Sequence, residues 1–253
     1  MKISILSWNV NGLRSVIRKN ALDAIWSGPD GLPDIICLQE TRCPKDTKIP
    51  DLPSSYKYQL IVPSSKPGYS GVGLFSKFAP NSIIDTELED GRCICAEFNA
   101  FYLLNLYVPN SKPDLSALPY RTVVWEPKVR ALIQKLTKSK PVIVLGDFNV
   151  APDENDIYMK KKDTTHGATP SERNHFQMLL SNCDLIDTYR FLNPNKREWT
   201  WFSNFGNARA RNHGWRIDMA LITSKYIKKI VESKILSHIP GSDHIPILIK
   251  VKQ

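Results

Sequence analysis

Asp147 and Asn149, in the segment KPVIVLGDFNVA (Lys140 to Ala151), are chemically capable residues set two apart where an apolar run ends. A short apolar run precedes them, and Gly146 frees the backbone just before they emerge. Two apart on an extended chain, they point the same way. A carboxylate beside a carboxamide suits holding a hard cation or positioning a water, because one accepts only and the other both donates and accepts. Gly-Asp-x-Asn is also ordinary turn chemistry, so it decides nothing alone. Similar residues recur where other apolar runs end: Asn9 after Ile3 to Trp8, Glu40 after Asp34 to Leu38, Tyr107 in Phe101 to Val108, and Asp243 with His244 between the last two runs. Asp218 is expected inside a strand, Trp215 to Ile222, where a lone carboxylate is costly to bury without a hydrogen-bonded partner. Each reads singly as a cap or turn residue; together they ask for one site at the ends of packed strands.

The elements that must position them follow from periodicity. Ile3 to Trp8 alternates as a half-buried strand, Ser15 to Trp26 carries a helical stripe closed by Gly28-Pro29, and Asp34 to Leu38 is a second strand. Five strand-like runs follow, Tyr56 to Val62, Val72 to Ser76, Ser82 to Glu87, Cys93 to Phe98 and Phe101 to Val108, dense enough for antiparallel sheet. Tyr120 to Leu136 has helical spacing in its second half, with Pro127 expected to break or kink it. A polar stretch, Ala151 to Pro170, includes Lys160, Lys161 and Lys162, read equally as a solvated loop or a phosphate contact. A helix from Thr169 to Asn182, an apolar turn at Asp184 to Tyr189, the aromatic run Trp199 to Phe202, a basic loop Asn207 to Gly214, and strands at Ile227 to Ile239 and Ile245 to Val251 complete the order. That order reads as layered α/β or α+β, one domain over residues 1–253, with two sheets face to face and helices outside.

Composition bounds the reading. With 42% hydrophobic and 23% charged residues, 253 residues make an ordinary folded domain. Thirty-four Lys plus Arg against 25 Asp plus Glu leave +9, a field that draws in polyanions such as nucleic acid in a salt-sensitive way. Five cysteines at irregular spacing (Cys37, Cys43, Cys93, Cys95, Cys183) read as reduced thiols, and no second pair gives Cys93 and Cys95 a zinc-finger spacing. MKISILSWNVNG runs directly into the first strand, so neither a signal peptide nor an N-terminal regulatory extension is expected. No run of about eighteen apolar residues is present. An intracellular protein with no membrane association is the expectation.

SWNVNGLR, ICLQET, GYSGVGLFSK, LYVPN, LGDFNVAP, NARARNHGWRID and GSDHIPI, in that order along the chain, resemble the signature segments of the exonuclease III-type class II apurinic/apyrimidinic (AP) endonucleases, within the endonuclease/exonuclease/phosphatase superfamily. The resemblance covers essentially the whole chain. It implies a four-layer α/β sandwich, DNase I-like, with a divalent-metal phosphodiesterase site at one end. The implied cofactor is Mg²⁺, with Mn²⁺ able to substitute. The implied partner is duplex DNA containing abasic sites or blocked 3′ ends, met by a monomer.

By the same resemblance, Glu40 holds the metal with Asn9 and Asn11 nearby, Asp243 is a second metal contact, Asp147, Asn149 and His244 are further metal candidates, and Asp147 orients or deprotonates the attacking water with Asn149 fixing it. His244 would bind a phosphate oxygen, and Asp218 would orient its imidazole. The phenol or phenolate of Tyr107 would touch the phosphate. Trp201, Trp215 and Ile217 would wall a pocket for a flipped-out sugar lacking its base, which costs least to unstack. Asn110, Arg14, Arg42, Lys66, Tyr69, Arg209 and Arg211 are substrate-contact candidates.

Three departures stand out. The family's usual asparagines near the phosphate are not recognisable between Asp156 and Thr169, Lys112-Pro113 replaces an arginine found in some members, and Phe205 stands where relatives place varied wedges. The reading is therefore an Mg²⁺-dependent endodeoxyribonuclease cutting 5′ to abasic sites, with 3′-phosphodiesterase, 3′-phosphatase and 3′→5′ exonuclease activities at the same site. Its competitors are a predominantly 3′→5′ exonuclease, a superfamily phosphodiesterase with another substrate, and an inactive DNA-binding relative.

Overall fold

Apolar side chains of alternating strand positions meet in three layers in the computed structural model, which describes residues 2–88, 90–159 and 161–252. One sheet holds β1 (Lys2–Asn9), β2 (Ile35–Gln39), β3 (Tyr58–Val62), β4 (Val72–Ser76) and, from the chain's end, β13 (Ile230–Ile235) and β14 (Ile247–Lys252), in the order β13-β14-β1-β2-β4-β3. The other holds β5 (Ser82–Ile84), β6 (Cys93–Glu97), β7 (Tyr102–Tyr107), β8 (Val142–Asp147), β9 (Leu185–Asp187) and β12 (Asp218–Thr223), in the order β5-β6-β7-β8-β12-β9. Both sheets are mixed. Each has one parallel pair at its centre, β1 with β2 and β7 with β8, so four strands carry their C-terminal ends to the same edge of the sandwich. Asn9, Glu40, Tyr107 and Asp147 are at those ends.

Between the sheets, Ile5, Ile35 and Leu74 meet Leu103, Ile143 and Ile222. Outside the first sheet, Leu6, Trp8 and Leu38 pack on Leu13, Val16 and Ile25 of α1 (Leu13–Arg18) and α2 (Asp23–Trp26). Outside the second, Leu104, Val144 and Met219 pack on Val129, Ile133 and Phe176 of α3 (Glu126–Leu136) and α4 (Pro170–Asn182). Covered on both faces, β2, β4, β7, β8 and β12 are buried at every residue, which is why they read as continuous apolar runs.

Several expectations are corrected. The helix expected over Ser15 to Trp26 is two short ones, because Asn20 takes a left-handed turn at φ 52° between them. The five runs from Tyr56 onward do pair antiparallel with one another, but β3 and β4 belong to one sheet and β5 to β7 to the other. Tyr120–Trp125 forms a π-helical turn that feeds directly into α3, with Pro127 in the first turn, where its missing N–H is absorbed. The turn expected at Asp184 to Tyr189 is β9 followed by α5 (Thr188–Leu192), capped by Asp187, whose carboxylate accepts from the amides of Tyr189 and Arg190. Ile227 to Ile239 begins in a 3₁₀ turn, Ser224–Lys229, and only Ile230–Ile235 is strand.

Asp218 is the first residue of β12 rather than an interior one. The expected strand from Trp215 is interrupted because Arg216 N–H bonds the Asp156 carbonyl and Ile217 N–H bonds Thr200 Oγ1. Trp215 instead belongs to a separate two-stranded ribbon, β10 (Trp201–Phe202) with β11 (Gly214–Trp215). The five cysteines are all free and buried. Among the described residues, no helix is long and apolar enough to cross a membrane.

Candidate active site

The glycine before Asp147 is required by the close approach of β7: a Cβ on Gly146 would stand 1.8 Å from the Leu106 carbonyl oxygen, and its φ is +145°. β8 can therefore end against β7 with Asp147 level with Tyr107, and across the antiparallel pair level with Asp218. Asp147 is 1% exposed. Its Oδ1 accepts from the Asn149 amide at 2.8 Å and its Oδ2 from Asn9 Nδ2 at 2.9 Å. Asn149 is itself fixed, donating to the Val108 carbonyl and accepting from Asn110 Nδ2, each at 2.9 Å.

From the other sheet, Asn9 gives its second amide proton to Glu40 Oε1 at 3.0 Å, so one carboxamide bridges both carboxylates. The Asn9 oxygen is turned back to accept from the Asn11 amide at 3.0 Å. Glu40 also pairs with Arg42. Asn11, Glu40, Arg42 and Asn149 all sit at φ between 45° and 50°. Asn tolerates this left-handed region; for Glu40 and Arg42 it costs on the order of 1 kcal/mol each and aims their side chains off the end of β2.

His244 approaches from the loop before β14, with Nε2 at 3.9 Å from Asp147 Oδ2 and Nδ1 at 2.9 Å from Asp218 Oδ2. Its backbone is held too, its carbonyl accepting from Trp8 Nε1 at 3.1 Å. Burial opposes charge on this imidazole, but Asp218, then Asp147 and Asp243, outweigh it and push its pKa up to about 10. The ring is therefore an imidazolium at neutral pH, with no free lone pair. Burial, with Asp218 and Glu40 adding to it, pushes the Asp147 carboxyl up to about 7, while the His244 cation and the Asn149 amide restrain the rise. Burial, followed by the carboxylates of Glu40 and Asp147, holds the Tyr107 phenol neutral far above neutral pH. The phenol-or-phenolate question thus falls to the phenol. Asp243 is kept ionised against its burial by His244, by Asn11 Nδ2 at 2.9 Å and by Trp201 Nε1 at 3.2 Å.

Glu40, Asp147 and His244 offer ligand atoms all within 4.8 Å of one another, a cluster that could hold a metal ion. Because the imidazole is charged, the donor set that fits a cation is the oxygen pair of Glu40 and Asp147, which suits a hard ion. The floor of a cavity of about 250 Å³ is made by these groups with Asn11, Arg42, Tyr107, Asn110, Asn149 and Asp243. Trp201, Trp215 and Ile217 form its apolar side, the two indoles edge to face at 6.0 Å. That is room for a sugar and its phosphate, not for a base pair.

Arg14, Lys66, Tyr69, Arg209 and Arg211 do not line this cavity. Lys66 lies over the Tyr69 ring, Arg209 donates to the Ser242 carbonyl beside Asp243, and Arg14 and Arg211 are exposed. Of the lysine run, Lys161 reaches the Tyr158 hydroxyl at 3.0 Å, Lys162 is exposed, and Lys160 lies outside the described residues.

Sequence reasoning missed four features. Arg92 is sandwiched between the rings of Tyr69 and Tyr107, at 5.5 and 4.8 Å, and so ties a surface tyrosine to the site. Thr200 Oγ1 accepts from the amides of both Ile217 and Asp218 at 3.0 Å. Buried Arg121 donates to the carbonyls of Phe148 and Asn149 at 2.9 and 2.8 Å, pinning the loop after Asp147 from below. Thr165, His166 and Gly167 form the remaining side of the cavity. For these last, the departure from the family pattern in that loop was the available signal.

Residues 6–244 match the model of the Endonuclease/Exonuclease/phosphatase family, and the chain belongs to that family. Recombination repair protein 1 of Drosophila melanogaster is 40% identical over 257 residues, which cover 98% of this chain and 37% of that protein. DNA repair nuclease APEX1 of Danio rerio is 38% identical over 260 residues, covering 98% and 81%. Among solved structures, AP endonuclease LMAP from Leishmania major superposes with a TM-score of 0.85 at 26% identity, over 100% of this chain and 88% of that one. The resemblance to class II AP endonucleases first read from separate segments thus extends over nearly the whole chain, and the two mixed sheets with flanking helices are the fold of those enzymes.

Proposed function

We propose that this protein is a DNA repair nuclease that hydrolyses the phosphodiester 5′ to an abasic site in duplex DNA, leaving a 3′-hydroxyl and a 5′-deoxyribose phosphate. Blocked or phosphorylated 3′ ends, and slow 3′→5′ exonuclease digestion, would use the same site. It acts as a monomer wherever DNA is maintained. One observation carries the reading: two carboxylates, a charged histidine and a neutral phenol converge on one side of a cavity whose opposite side is apolar and aromatic.

The division of labour follows from the geometry. Asp147, its pKa raised to about 7 by burial and restrained by the His244 cation, takes a proton from the attacking water and orients it, with Asn9 and Asn149 fixing its two oxygens. His244, held charged by Asp218, faces the phosphate oxygen on which negative charge grows, and Tyr107 adds a donor from the neighbouring strand. Glu40 and Asp147 would hold Mg²⁺, or Mn²⁺ in its place. The ion, when bound, supplies positive charge to the phosphate and the departing 3′-oxygen. Trp201, Trp215 and Ile217 accept a sugar whose missing base leaves nothing to unstack.

The test is a duplex oligonucleotide with one tetrahydrofuran abasic analogue, incubated with Mg²⁺, with Mn²⁺ and with chelator, beside an intact duplex and a panel of phospholipids and inositol phosphates. Cleavage one bond 5′ to the analogue, lost in chelator, is expected. Hydrolysis of the lipid panel without cleavage of the abasic strand would replace the reading with that of a relative acting on another phosphodiester.

A further inference from the structure

The side of the cavity formed by Thr165, His166 and Gly167 belongs to the loop that departs most from the family pattern, and its place is fixed by the fold rather than left to solvent. The Gly167 carbonyl accepts from the Ala151 amide at 2.8 Å, two residues beyond Asn149. The Thr165 amide bonds back to the Lys162 carbonyl, and the Thr165 carbonyl takes the Ala168 amide at 3.0 Å, which closes a tight turn with His166 at its apex. Gly167 sits at φ +77°, and a Cβ there would stand 3.1 Å from Cζ3 of Trp215, so the turn lies directly against the indole. Immediately afterwards, Thr169 and Glu172 close a capping box at the start of α4. Buried Glu172 also binds Arg121 and Ser111, so the turn is tied to the same arginine that pins the loop after Asp147.

His166 is half-buried and lines the cavity, and its imidazole has no hydrogen-bond partner among the described residues. A donor group that lines a cavity beside an aromatic wall, with no partner among the described residues, is suited to a ligand oxygen. We infer that His166 is a substrate-contacting residue, which donates a hydrogen bond to an oxygen of the nucleotide seated against Trp215 and so adds to the preference for a sugar without a base. The inference rests on the function proposed above and deepens it. Where the asparagines of the family pattern are not recognisable, this chain presents one imidazole, next in the chain to the glycine that packs against the Trp215 indole. Histidine keeps a donor N–H whether neutral or charged, so the contact does not depend on its protonation.

The experiment measures the affinity of the full chain for two duplexes in chelator, one intact and one carrying a single tetrahydrofuran residue, with native protein, His166→Ala and His166→Gln. Gln keeps a donor of similar reach. A single hydrogen bond to a bound oxygen predicts that His166→Ala weakens the abasic duplex about tenfold, leaves the intact duplex within about twofold, and that His166→Gln recovers most of the loss. Equal weakening of both duplexes overturns the inference in favour of a contact to the backbone outside the sugar seat. Unchanged affinities in a native protein that does discriminate overturn it alone. A native protein that binds both duplexes alike overturns it together with the abasic reading.

Discussion

The two sides of the cavity are built differently. The hydrolytic side is carried by the C-terminal ends of the central parallel strands of both sheets, so its side chains inherit the rigidity of the core: Asn9 and Gln39 are fully buried and Asp147 nearly so. The proposed seat for the sugar is carried by the two-stranded ribbon β10–β11, the break between β11 and β12 and a tight turn, none of which belongs to either six-stranded sheet. What holds it is charge. Arg216, 2% exposed, lies between Trp215 and Ile217 in the chain and turns away from the cavity to pair with Asp156 at 2.6 Å and Asp187 at 2.7 Å, and Arg190 closes the group through Asp156 at 2.5 Å. Two carboxylates and two guanidinia balance, so burial is tolerated where a lone charge would not be. In the proposed reading, chemistry is thus placed by sheet geometry and the sugar seat by an ion network.

If that division holds, substitutions on the two sides must separate rate from recognition. The largest effect is expected from Asp147→Ala, which should lower single-turnover cleavage by at least ~10²–10⁴ while leaving affinity for abasic duplex in chelator within a few-fold. A parallel loss of affinity would merge the two sides. Next is Arg216→Met. It leaves buried Asp187 without its guanidinium and Asp156 with Arg190 alone, and should cost about 3–5 kcal/mol of stability, read as a lowered urea midpoint at unchanged m-value; at a temperature where the variant is folded, KM should rise more than kcat falls.

Asp218→Asn comes third, with a rate lowered roughly 10–100-fold as the imidazolium loses its partner. Followed by NMR in metal-free protein, His244 of the native chain should stay protonated through neutral pH and titrate near pH 10, and should titrate at lower pH in the variant. The sign follows from linkage. A histidine whose folded pKa is raised adds stability that is complete below its unfolded value of about 6.5 and is lost as pH rises through about 10, so the native protein's advantage over the variant should shrink across that window. The smallest effect is expected from Trp215→Ala, a rise in KM for abasic duplex of roughly tenfold from lost apolar contact, with the cleavage rate at saturation nearly kept.

Much of the hydrolytic side was legible in the sequence, because its residues announce themselves as polar groups where apolar runs stop: Asn9, Glu40, Tyr107, Asp147 and the Asp243-His244 pair all lie at such ends and meet in one cavity or on its floor. Periodicity reports that a face is buried and not what buries it. The assignment of Tyr58–Val62 and Ser82–Ile84 to different sheets was therefore invisible, as was the break before Asp218, which is set by partners at Thr200 and Asp156. The charge network could not be read because Asp156 and Arg216 are 60 residues apart, and each alone resembles any surface charge. Likewise Glu40 and Arg42 in left-handed backbone carry no sequence mark, since strain of that kind is imposed by tertiary contacts.

One cation and one phosphate are expected to meet between Glu40, Asp147 and His244. Anomalous diffraction from a complex of the protein with an uncleavable abasic duplex and Mn²⁺ tests it most directly. A single strong peak is expected about 2–2.3 Å from carboxylate oxygens of Glu40 or Asp147, with His244 on a phosphate oxygen of the same linkage and outside the metal's coordination shell. A metal bound through the His244 imidazole, or a scissile phosphate seated away from all three residues, would contradict it.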